Sequence, residues 1–347
     1  MREVADLAGV AVSSVSRVVS GHPDVSPKMR TRVLEAVDTL RYQPHFLAQS
    51  LRRGETFTVG FIAGDFSNPL IAEIASGIQS VLHSQGYSML VMNSGGDSHQ
   101  EASNIEFLSH RRVDGMIISL SNERKRETIE AVQSVTVPIV AVDRDLPPRL
   151  RASAVISDHR VGVLAAASDL ILLGHSRIAI ITGPLDVRPA RERVAGVRQA
   201  VAAAGRQIEV DYRAHSFSTE YGEAATDELM DQINPPTAII AGGNQILVGC
   251  LRALHRRGIR VGRDVSVITC DEVPLAELFE PPIAAVIRDN IAMGRAAAGL
   301  LLERLRGSSE PKQVVIPTTY VRRPSVQAIT AQEQDSARPR GRRVTRP

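Results

Sequence analysis

The stretch AVSSVSRVVSGHPDVSPKMR, residues 11–30, sets one arginine among small hydroxyl side chains and follows them with a glycine and a Ser-Pro pair. Three valines recur in it at helical spacing and predict a short helix over residues 12–20: Val15, Val18 and Val19. Gly21 is expected to end this helix. Ser26 and Pro27 supply a hydroxyl cap and a residue that needs no amide donor, so a further helix is expected to begin there.

Helical periodicity continues on both sides of this stretch. Upstream, residues 2–8 predict a helix with three side chains on its apolar face: Val4, Leu7 and Ala8. Downstream, four apolar residues repeat at the same period: Val33, Leu34, Val37 and Leu40. Two short helices joined by a tight turn at Gly9 and Val10, with a third helix packed on them, are typical of the helix-turn-helix motif.

The outer face of the second helix, opposite its valines, carries side chains suited to reading bases: Val12, Ser13, Ser16 and Arg17. Arginine can bond guanine through two N–H groups, serine can bond bases or phosphates, and valine can contact a thymine methyl. This face therefore predicts contact with DNA. The alternative is an ordinary surface helix with one solvated arginine.

From Thr56 onward the pattern changes to apolar strand-like runs that alternate with amphipathic helices. Eight runs are predicted as strands: 57–63, 89–92, 116–120, 139–142, 178–182, 238–241, 265–269 and 284–287. Apolar runs separated by helices indicate parallel sheets covered on both faces, and eight runs with weakly similar halves suggest two sheets. A break near Ser157 and Asp158 separates the halves. Ligands of such sheets bind at the carboxyl ends of the strands, where five residues are expected: Asp65, Asp143, Pro184, Gly243 and Asp271.

Composition narrows the class of protein. The 347 residues are 43% apolar and 23% charged, ordinary globular values, and no apolar run approaches the roughly 18–20 residues that a membrane span requires. The N-terminal MREVADLAG has acids where a signal peptide needs an apolar stretch. Cys250 and Cys270 have no metal-type spacing, so a cytoplasmic protein is expected. A net charge of +3 and basic clusters in the first 53 residues and the tail are a weak indication of a polyanion partner.

Residues 4–53, VADLAGVAVSSVSRVVSGHPDVSPKMRTRVLEAVDTLRYQPHFLAQSLRR, resemble the headpiece of the lactose-repressor (LacI/GalR) family of bacterial transcription regulators. The similarity continues in order through GFIAGDFSNPL, RRVDGMIIS, VDRDLP, LGHSRIAIITGPLDVRPARERVAG, DVSVITCDEVPLA and Pro317–Arg323. It implies an α/β chain with a small all-α helix-turn-helix headpiece and a periplasmic-binding-protein-like core of two doubly wound parallel-sheet subdomains. The expected boundaries are a headpiece at 1–43, a hinge helix and linker at 44–54, a core at 55–325 with crossings near 157, 287 and 318, and a disordered basic tail at 326–347.

The resemblance also implies DNA contacts. Base-reading positions of the family fall on Val12, Ser13 and Arg17, with Ser14 and Ser16 near phosphates. The hinge helix falls on residues 45–51, where three residues are expected to contact DNA: His45, Ala48 and Leu51. Leu51 would wedge between base pairs in the minor groove from both subunits of a homodimer; ordinary core packing is the alternative for it. Ala11 stands where the family usually has a capping Ser or Thr, and a lost cap typically costs about 0.5–2 kcal/mol unless Ser13 or Ser14 shifts the helix start.

The ligand-contact positions of the family fall on strand-end turns of the core: Asn68, Leu70, Ile71, Asp143, Arg144, Arg193, Phe217 and Asp271. This chemistry suits a polyol, because carboxylates accept from hydroxyls and a guanidinium donates two hydrogen bonds. A buried Arg193 between Asp143 and Asp271 would be charge-compensated; inter-domain salt bridges are the alternative.

Three departures from the sugar-binding relatives of that family change the expected ligand. Leu70 and Ile71 replace two aromatic residues, Gly243-Asn244 replaces Asn-Asp, and Arg288 replaces a glutamine. Arg288 adds a cation to the site, so an anionic sugar phosphate or sugar acid is a hypothesis for the effector. The alternative is that Arg288 points to solvent.

The expected mechanism is a repressor dimer on a palindromic operator, in which a small molecule closes the core cleft and changes how the hinge helices pair. An enzyme is a poorer interpretation, because GxGxxG, P-loop and GxSxG signatures are missing and His159, His175 and His215 are isolated. No cofactor or metal is expected. Two more interpretations stay open: a periplasmic transport receptor, and a family member that is switched by a protein partner and has a vestigial cleft.

Overall fold

The computed structural model describes residues 1–19, 22–42 and 55–329. The chain divides into two compact units, Met1–Phe57 and Thr58–Pro347, which we call the headpiece and the core. The predicted hinge helix, with His45, Ala48 and Leu51, lies outside the described residues, and so does the predicted tail from residue 330 onward.

The headpiece contains three helices: α1 (Arg2–Ala8), α2 (Val12–Val19) and α3 (Pro27–Thr39). Gly9 ends α1 with a left-handed backbone (φ 59°), the conformation that glycine adopts without steric cost. The Ser26 hydroxyl accepts a hydrogen bond from the Met29 N–H, and Pro27 occupies the first turn of α3. Val4, Val15 and Val33, one from each helix, are fully buried where the three helices meet.

The sequence misassigned part of the buried face of α1 and α3. Leu7, Leu34 and Leu40 are 55%, 50% and 40% exposed, whereas Ala5 and Ala36 are buried. Leu7 and Leu34 are each adjacent to a buried residue, Ala8 and Val33, and Leu40 lies at the end of α3. The seven residues of α1 and the thirteen of α3 leave the centre of the apolar stripe uncertain by one position, and a shift of one residue rotates the buried face by 100°.

The core alternates strands and helices over its described length. The strands are β1 (Thr58–Ala63), β2 (Ser88–Asn93), β3 (Gly115–Ser119), β4 (Ile139–Val142), β5 (Ser153–Ser157), β6 (Arg177–Thr182), β7 (Glu209–Ala214), β8 (Ala238–Ala241), β9 (Ser266–Cys270), β10 (Ala284–Ile287), β11 (Gln313–Ile316) and β12 (Thr319–Val321). The helices are α4 (Pro69–Ser84), α5 (Ser98–His110), α6 (Arg126–Ser134), α7 (His159–Leu172), α8 (Arg188–Ala203), α9 (Thr219–Met230), α10 (Asn244–Arg256), α11 (Pro274–Leu278) and α12 (Asn290–Leu305), with a 3₁₀ turn at Pro148–Leu150.

These strands form two six-stranded sheets, ordered β11-β5-β4-β3-β1-β2 and β12-β10-β9-β8-β6-β7. All strand pairs are parallel except β10 with β12. The predicted class, two doubly wound parallel-sheet subdomains beside an all-α headpiece, is confirmed. The sequence missed β5, β7, β11 and β12, because short strands at or near sheet edges carry polar or small residues rather than long apolar runs.

Helix α12 packs tightly on α4 against the first sheet. Gly77 of α4 and Gly294 of α12 lie at this contact, where a Cβ on Gly294 would come within 2.1 Å of the Ile74 carbonyl oxygen. The glycines let the two helix backbones approach closely. Because α12 follows β10 of the second sheet, this packing returns the chain to the first subdomain.

The chain therefore crosses between subdomains after β5, after β10 and between β11 and β12. Two of these crossings are joined by Thr318, whose hydroxyl donates to the Asp158 carbonyl at 2.6 Å and accepts from the Gly162 N–H at 3.1 Å. The packed chain continues past residue 325, since Val326 is 2% exposed and Gln327 bonds Ser266 through its backbone N–H at 3.1 Å.

Candidate functional site

Helix α2 presents the predicted base-reading side chains to its outer face. Val12, Ser13 and Arg17 are exposed, while the predicted phosphate-contacting residues Ser14 and Ser16 are half-buried. The valines Val15 and Val18 on the opposite side are buried in the headpiece.

The start of α2 is not shifted along the chain. The Ala11 carbonyl accepts from the Ser14 N–H at 2.8 Å and the Val15 N–H at 3.2 Å, so the helix begins directly after Ala11. Ala11 has no side-chain oxygen with which to cap the first turn. In the folded headpiece, α2 therefore lacks the side-chain cap that a Ser or Thr at position 11 would supply.

In the core, residues that follow β1, β2, β3, β4, β7, β8, β9 and β10, with Pro189 and Arg193 of α8, line a cavity of about 410 Å³ between the two subdomains. Its size falls in the range of small-molecule sites, about 300–1,000 Å³. All nine predicted effector contacts line it: Asn68, Leu70, Ile71, Asp143, Arg144, Arg193, Phe217, Asp271 and Arg288. Of the five strand-end residues that the sequence indicated, Asp65, Asp143, Gly243 and Asp271 line this cavity and Pro184 does not.

Two aspartates occupy equivalent positions in the two subdomains. Asp143 follows β4 and Asp271 follows β9, and both have left-handed backbones, with φ of 54° and 72°. Each backbone N–H bonds a carbonyl of the neighbouring strand, at 2.8 Å to Val155 and 2.9 Å to Val286. A non-glycine residue in this conformation is uncommon and costs of order 1 kcal/mol, so the sheets hold both carboxylates in fixed, strained positions.

Asp143 is surrounded by hydrogen-bond donors. Its carboxylate accepts from the Ser157 N–H at 2.7 Å, from the Ser157 hydroxyl at 3.4 Å, from His159 Nε2 at 3.0 Å and from Arg288 Nη1. Burial raises the pKa of Asp143, but His159 and Arg288 outweigh burial and hold that pKa well below its usual value of 3.8. The carboxylate is ionised, and three of its four hydrogen bonds fall on Oδ2.

Asp271 is held between two guanidinium groups. Arg193 Nη2 lies 2.8 Å from one carboxylate oxygen and Arg288 Nε lies 3.0 Å from the other. Burial raises the pKa of Asp271, whereas Arg288 and Arg193 together lower it by more. The predicted bridge by Arg193 between Asp143 and Asp271 is wrong, since Arg193 pairs with Asp271 and with the Gly242 carbonyl at 2.6 Å. The guanidinium that joins both aspartates is that of Arg288.

Arg288 lines the cavity and does not point to solvent. Its side chain is 9% exposed, and its charge is paired with two carboxylates. Its Nη1 also donates to the Ser157 hydroxyl at 2.7 Å. The loop after β10 places this side chain at a crossing between subdomains, where it joins the strand ends of both sheets.

Arg144 is anchored by the backbone of the first subdomain. Its Nε donates to the Leu120 carbonyl and its Nη1 to the Asp143 carbonyl at 2.8 Å. Behind it lies Glu101, a fully buried carboxylate that accepts from the Ser121 N–H at 2.5 Å. Burial raises the pKa of Glu101 by more than its hydrogen bonds and Arg144 lower it.

The apolar wall of the cavity is built from both subdomains. Leu70 and Ile71 come from the first turn of α4, and Phe217 comes from the loop before α9. The Phe217 ring packs against Gly183, where a Cβ would come within 2.0 Å of the ring, and the Arg193 guanidinium carbon lies 5.9 Å from the ring centroid. Phe217 therefore contributes an aromatic ring to the cavity lining in spite of the missing aromatic pair.

Side chains near the cavity also join the two subdomains directly. The Asn244 amide donates to Asn68 Oδ1 at 2.9 Å, and the Gln245 amide donates to Asp65 Oδ2 at 2.9 Å. Burial raises the pKa of Asp65, but hydrogen bonds from Ser67 and Gln245 lower it by more.

A second set of inter-subdomain contacts, here called the charged rim, comprises Glu123, Asp145, Arg188 and Arg191. Glu123 and Asp145 follow β3 and β4, while Arg188 and Arg191 begin α8 of the other subdomain. Arg191 Nη2 lies 2.5 Å from Glu123 Oε1 and 2.8 Å from Asp145 Oδ2, and Arg188 lies 3.2 Å from Asp145. Oppositely charged groups thus hold the two subdomains together beside the cavity.

Sequence reasoning missed several residues of the site. His159, interpreted as isolated, is 2% exposed and belongs to the Asp143 cluster, and its position directly after β5 was the available signal. Gln245 and Glu123 lie just beyond strand ends as well. Their partners are more than 60 residues away in sequence, so no local pattern indicated the pairs.

In residues 1–19, 22–42 and 55–329 no group of three or more His, Cys, Asp or Glu side chains could hold a metal ion. Within the same described ranges, every helix is too short or too polar to cross a bilayer.

Comparison with known proteins agrees with this architecture. Residues 1–45 match the family model "Bacterial regulatory proteins, lacI family", and residues 167–326 match that of a periplasmic binding protein-like domain. The chain is 30% identical to the ribose operon repressor of Haemophilus influenzae, over 95% of this chain and 99% of that relative.

Among solved structures, the lac repressor dimer bound to operator and the anti-inducer ONPF superposes with a TM-score of 0.82 at 27% identity, over 94% of this chain and 98% of that one. The complex of the transcriptional regulator CelR with cellobiose gives a TM-score of 0.71 at 32% identity, over 93% and 98% of the two chains. With a headpiece, a two-subdomain core and full-length similarity of this extent, the chain belongs to the lacI family of bacterial regulatory proteins.

Proposed function

We propose that this protein is a transcriptional repressor that binds a palindromic operator as a homodimer and changes its DNA affinity when a sugar or sugar derivative occupies the core cavity. The single observation that carries the proposal is the presence, on one chain, of an exposed helix-turn-helix face and a cavity between two subdomains that is lined by both charged and apolar side chains. Neither part alone would favour a ligand-responsive regulator over a transport receptor or a constitutive DNA-binding protein.

In the headpiece, Val12, Ser13 and Arg17 of α2 read bases in the major groove, and Ser14 and Ser16 contact phosphates. Their exposure or partial exposure supports this role, since a recognition helix must bury one face and present the other. The expected hinge contacts, His45, Ala48 and Leu51, belong to the same proposal and lie outside the described residues.

In the core, the effector binds among the nine cavity-lining residues. Two relatives support a sugar ligand, because the CelR structure holds cellobiose and the ribose operon repressor is similar over nearly the full chain. A cavity of about 410 Å³ with an apolar wall and several charged side chains favours a small molecule over a switch that depends only on a protein partner.

The two sites communicate through the relative position of the subdomains. A ligand can shift this equilibrium only by binding one arrangement more tightly than the other, and such coupling typically amounts to about 1–3 kcal/mol. In the dimer, that rearrangement alters how the two DNA-binding units are held, and with it the fit to a two-fold operator. The protein acts in the cytoplasm on the chromosome, and it carries out no catalysis.

The test is a selection of bound genomic fragments with the purified full-length protein, followed by affinity measurements on the recovered sites. We expect an inverted repeat. Arg17→Ala is expected to relax specificity at one position in each half-site and to weaken binding there by about 1–3 kcal/mol. Recovery of fragments with no shared sequence would refute the proposal, and an equal loss on all sequences would make Arg17 a phosphate contact instead.

A further inference from the structure

We propose that Arg288 sets effector specificity: by compensating the charges of Asp143 and Asp271, it leaves the guanidinium groups of Arg144 and Arg193 as the charged ligand contacts and so selects sugar derivatives that carry a carboxylate or phosphate. The inference rests on the proposed function and names the chemical class of its ligand.

The first step concerns Asp143, whose Oδ2 is fully occupied by donors of the protein. Oδ2 receives the Ser157 hydroxyl at 3.4 Å, His159 Nε2 at 3.0 Å and Arg288 Nη1, whereas Oδ1 receives the Ser157 N–H at 2.7 Å. Each carboxylate oxygen accepts about two hydrogen bonds. A sugar hydroxyl that bonded Oδ2 would have to displace a donor that is buried with it, and the Arg288 charge compensates that of Asp143.

The second step concerns Asp271, where each carboxylate oxygen already faces one guanidinium. Arg288 supplies one of the two contacts as an ion pair, without hydrogen-bond geometry, and it also pairs with Asp143. One side chain thus compensates the negative charge of both aspartates. A glutamine at this position could not do so, because it carries no charge.

The third step concerns the donors that remain. Arg193 lines the cavity, its side chain is 3% exposed, and its Nε has no hydrogen-bond partner among the described residues. Arg144 also lines the cavity and uses two of its five N–H groups on backbone carbonyls. Guanidinium groups that keep N–H donors not used by the protein are suited to bind a carboxylate or phosphate, whose oxygens accept several charge-assisted hydrogen bonds at once.

The fourth step concerns the rest of the ligand. Phe217, Leu70 and Ile71 provide an apolar wall for the carbon face of a small ring, and Asn68 and Asn244 lie beside it. The cavity is large enough for a monosaccharide derivative with one anionic group. The anion would contact the arginines while the ring packs against the apolar wall.

The experiment uses matched pairs in which only the anionic group differs: D-ribose with D-ribose 5-phosphate, and D-glucose with D-gluconate, within a wider panel of such pairs. Thermal shift of the full-length protein identifies the ligands, and isothermal titration measures their Kd. Inorganic phosphate alone controls for simple anion binding. We expect the anionic member of at least one pair to bind at least tenfold more tightly than its neutral parent.

Arg288→Gln is the decisive variant, since it returns Asp143 and Asp271 to the cavity. It is expected to reduce the anion preference at least tenfold or to reverse it. Arg144→Gln leaves the contacts of Arg288 with Asp143 and Asp271 intact. It should abolish the preference for the anionic sugar without creating affinity for the neutral one. This variant tests the inference if Arg288→Gln fails to fold.

Three outcomes would overturn the inference: a wild-type protein that prefers neutral sugars, a panel in which no anionic sugar binds, or variants that keep the wild-type preference. Operator binding is measured on the same preparations. A neutral sugar that changes operator affinity would refute the specificity inference alone, whereas loss of operator recognition would refute the proposed function.

Discussion

Removing Arg191 from the charged rim should open the core. Arg191 joins the subdomains by pairing with Glu123, whose carboxylate is 1% exposed, and with Asp145. Arg191→Met keeps much of the side-chain length and removes the charge. Glu123 would then be a buried carboxylate without a cation in the closed arrangement, but it would regain water if the subdomains separate.

The size of the effect follows from this difference. Loss of one partner of a fully buried ion pair costs about 3–5 kcal/mol. Arg191 is 24% exposed and the Asp145 N–H still bonds Glu123 at 2.9 Å, so we expect about 2 kcal/mol against the closed arrangement. At 1.4 kcal/mol for each factor of ten, the equilibrium moves about thirtyfold toward the open arrangement.

Distances between two spin labels report this equilibrium in the full-length protein. Labels at Glu130→Cys and Glu220→Cys lie on exposed positions of the two subdomains. The native thiols Cys250 and Cys270 are buried, and burial raises their pKa to about 12 and about 11, so they react poorly with the label.

The matched control for this experiment is Arg160→Met, which removes an ion pair of 3.0 Å to Glu192 within a single subdomain. We expect Arg191→Met to lengthen the distance between the labels and the control to leave it unchanged. Identical distance distributions for Arg191→Met and the wild type would refute the reasoning.

Three further predictions concern stability. Ala11→Ser should supply the missing cap of α2 and stabilise the headpiece by about 0.5–2 kcal/mol, seen as slower hydrogen exchange of residues 12–19 in the full-length protein; unchanged exchange would contradict it. Burial lowers the pKa of His159 below 6.5, and Arg193 and Arg288 add to this effect, which outweighs the opposite effect of Asp143. As pH falls, His159 is therefore protonated at a higher pH in the unfolded chain than in the folded protein. The free energy of unfolding of the wild type should therefore decline below about pH 6.5 more steeply than that of His159→Asn. Glu101 titrates in both proteins, so the comparison isolates His159. The same pH dependence of the free energy of unfolding in both proteins, measured by urea denaturation, would rule this out. Gly294→Ala should destabilise the core by about 1–3 kcal/mol, because its Cβ would meet the Ile74 carbonyl. Gly299→Ala on the same helix has no atom within 4 Å of its Cβ and should stabilise by about 0.5–1 kcal/mol; equal effects in urea denaturation would refute the packing argument.

The sequence predicts those parts of the fold in which the hydrophobic pattern is strong. Strands such as Ile139–Val142 and Ala238–Ala241 are buried on both faces and read as unbroken apolar runs. The edge strand Glu209–Ala214 has only half-buried or exposed positions and contains polar residues, so it lacked that pattern. Leu34 was misplaced because it is adjacent to the buried Val33, and the sequence does not show which of the two neighbours faces the other helices.

The candidate site was predictable in its members but not in its pairings. Strand-end positions placed Asp143 and Asp271 at one cavity, because carboxyl ends of parallel strands converge, and the family resemblance added Arg193. Which guanidinium bridges the two carboxylates depends on the crossing after β10, which carries Arg288 to a point between both sheets. That geometry comes from the packing of α12 on α4, and no spacing in the sequence records it.

The central claim is that the core cavity and the DNA-reading face are energetically coupled. The most direct measurement is the affinity of the full-length protein for its selected operator, by fluorescence anisotropy at fixed salt, with and without a saturating ligand identified by titration. A coupling of about 1–3 kcal/mol predicts a change of about 5- to 150-fold, and reciprocity requires the operator to change ligand affinity by the same factor. Operator affinity that stays the same when the cavity is filled would contradict the account.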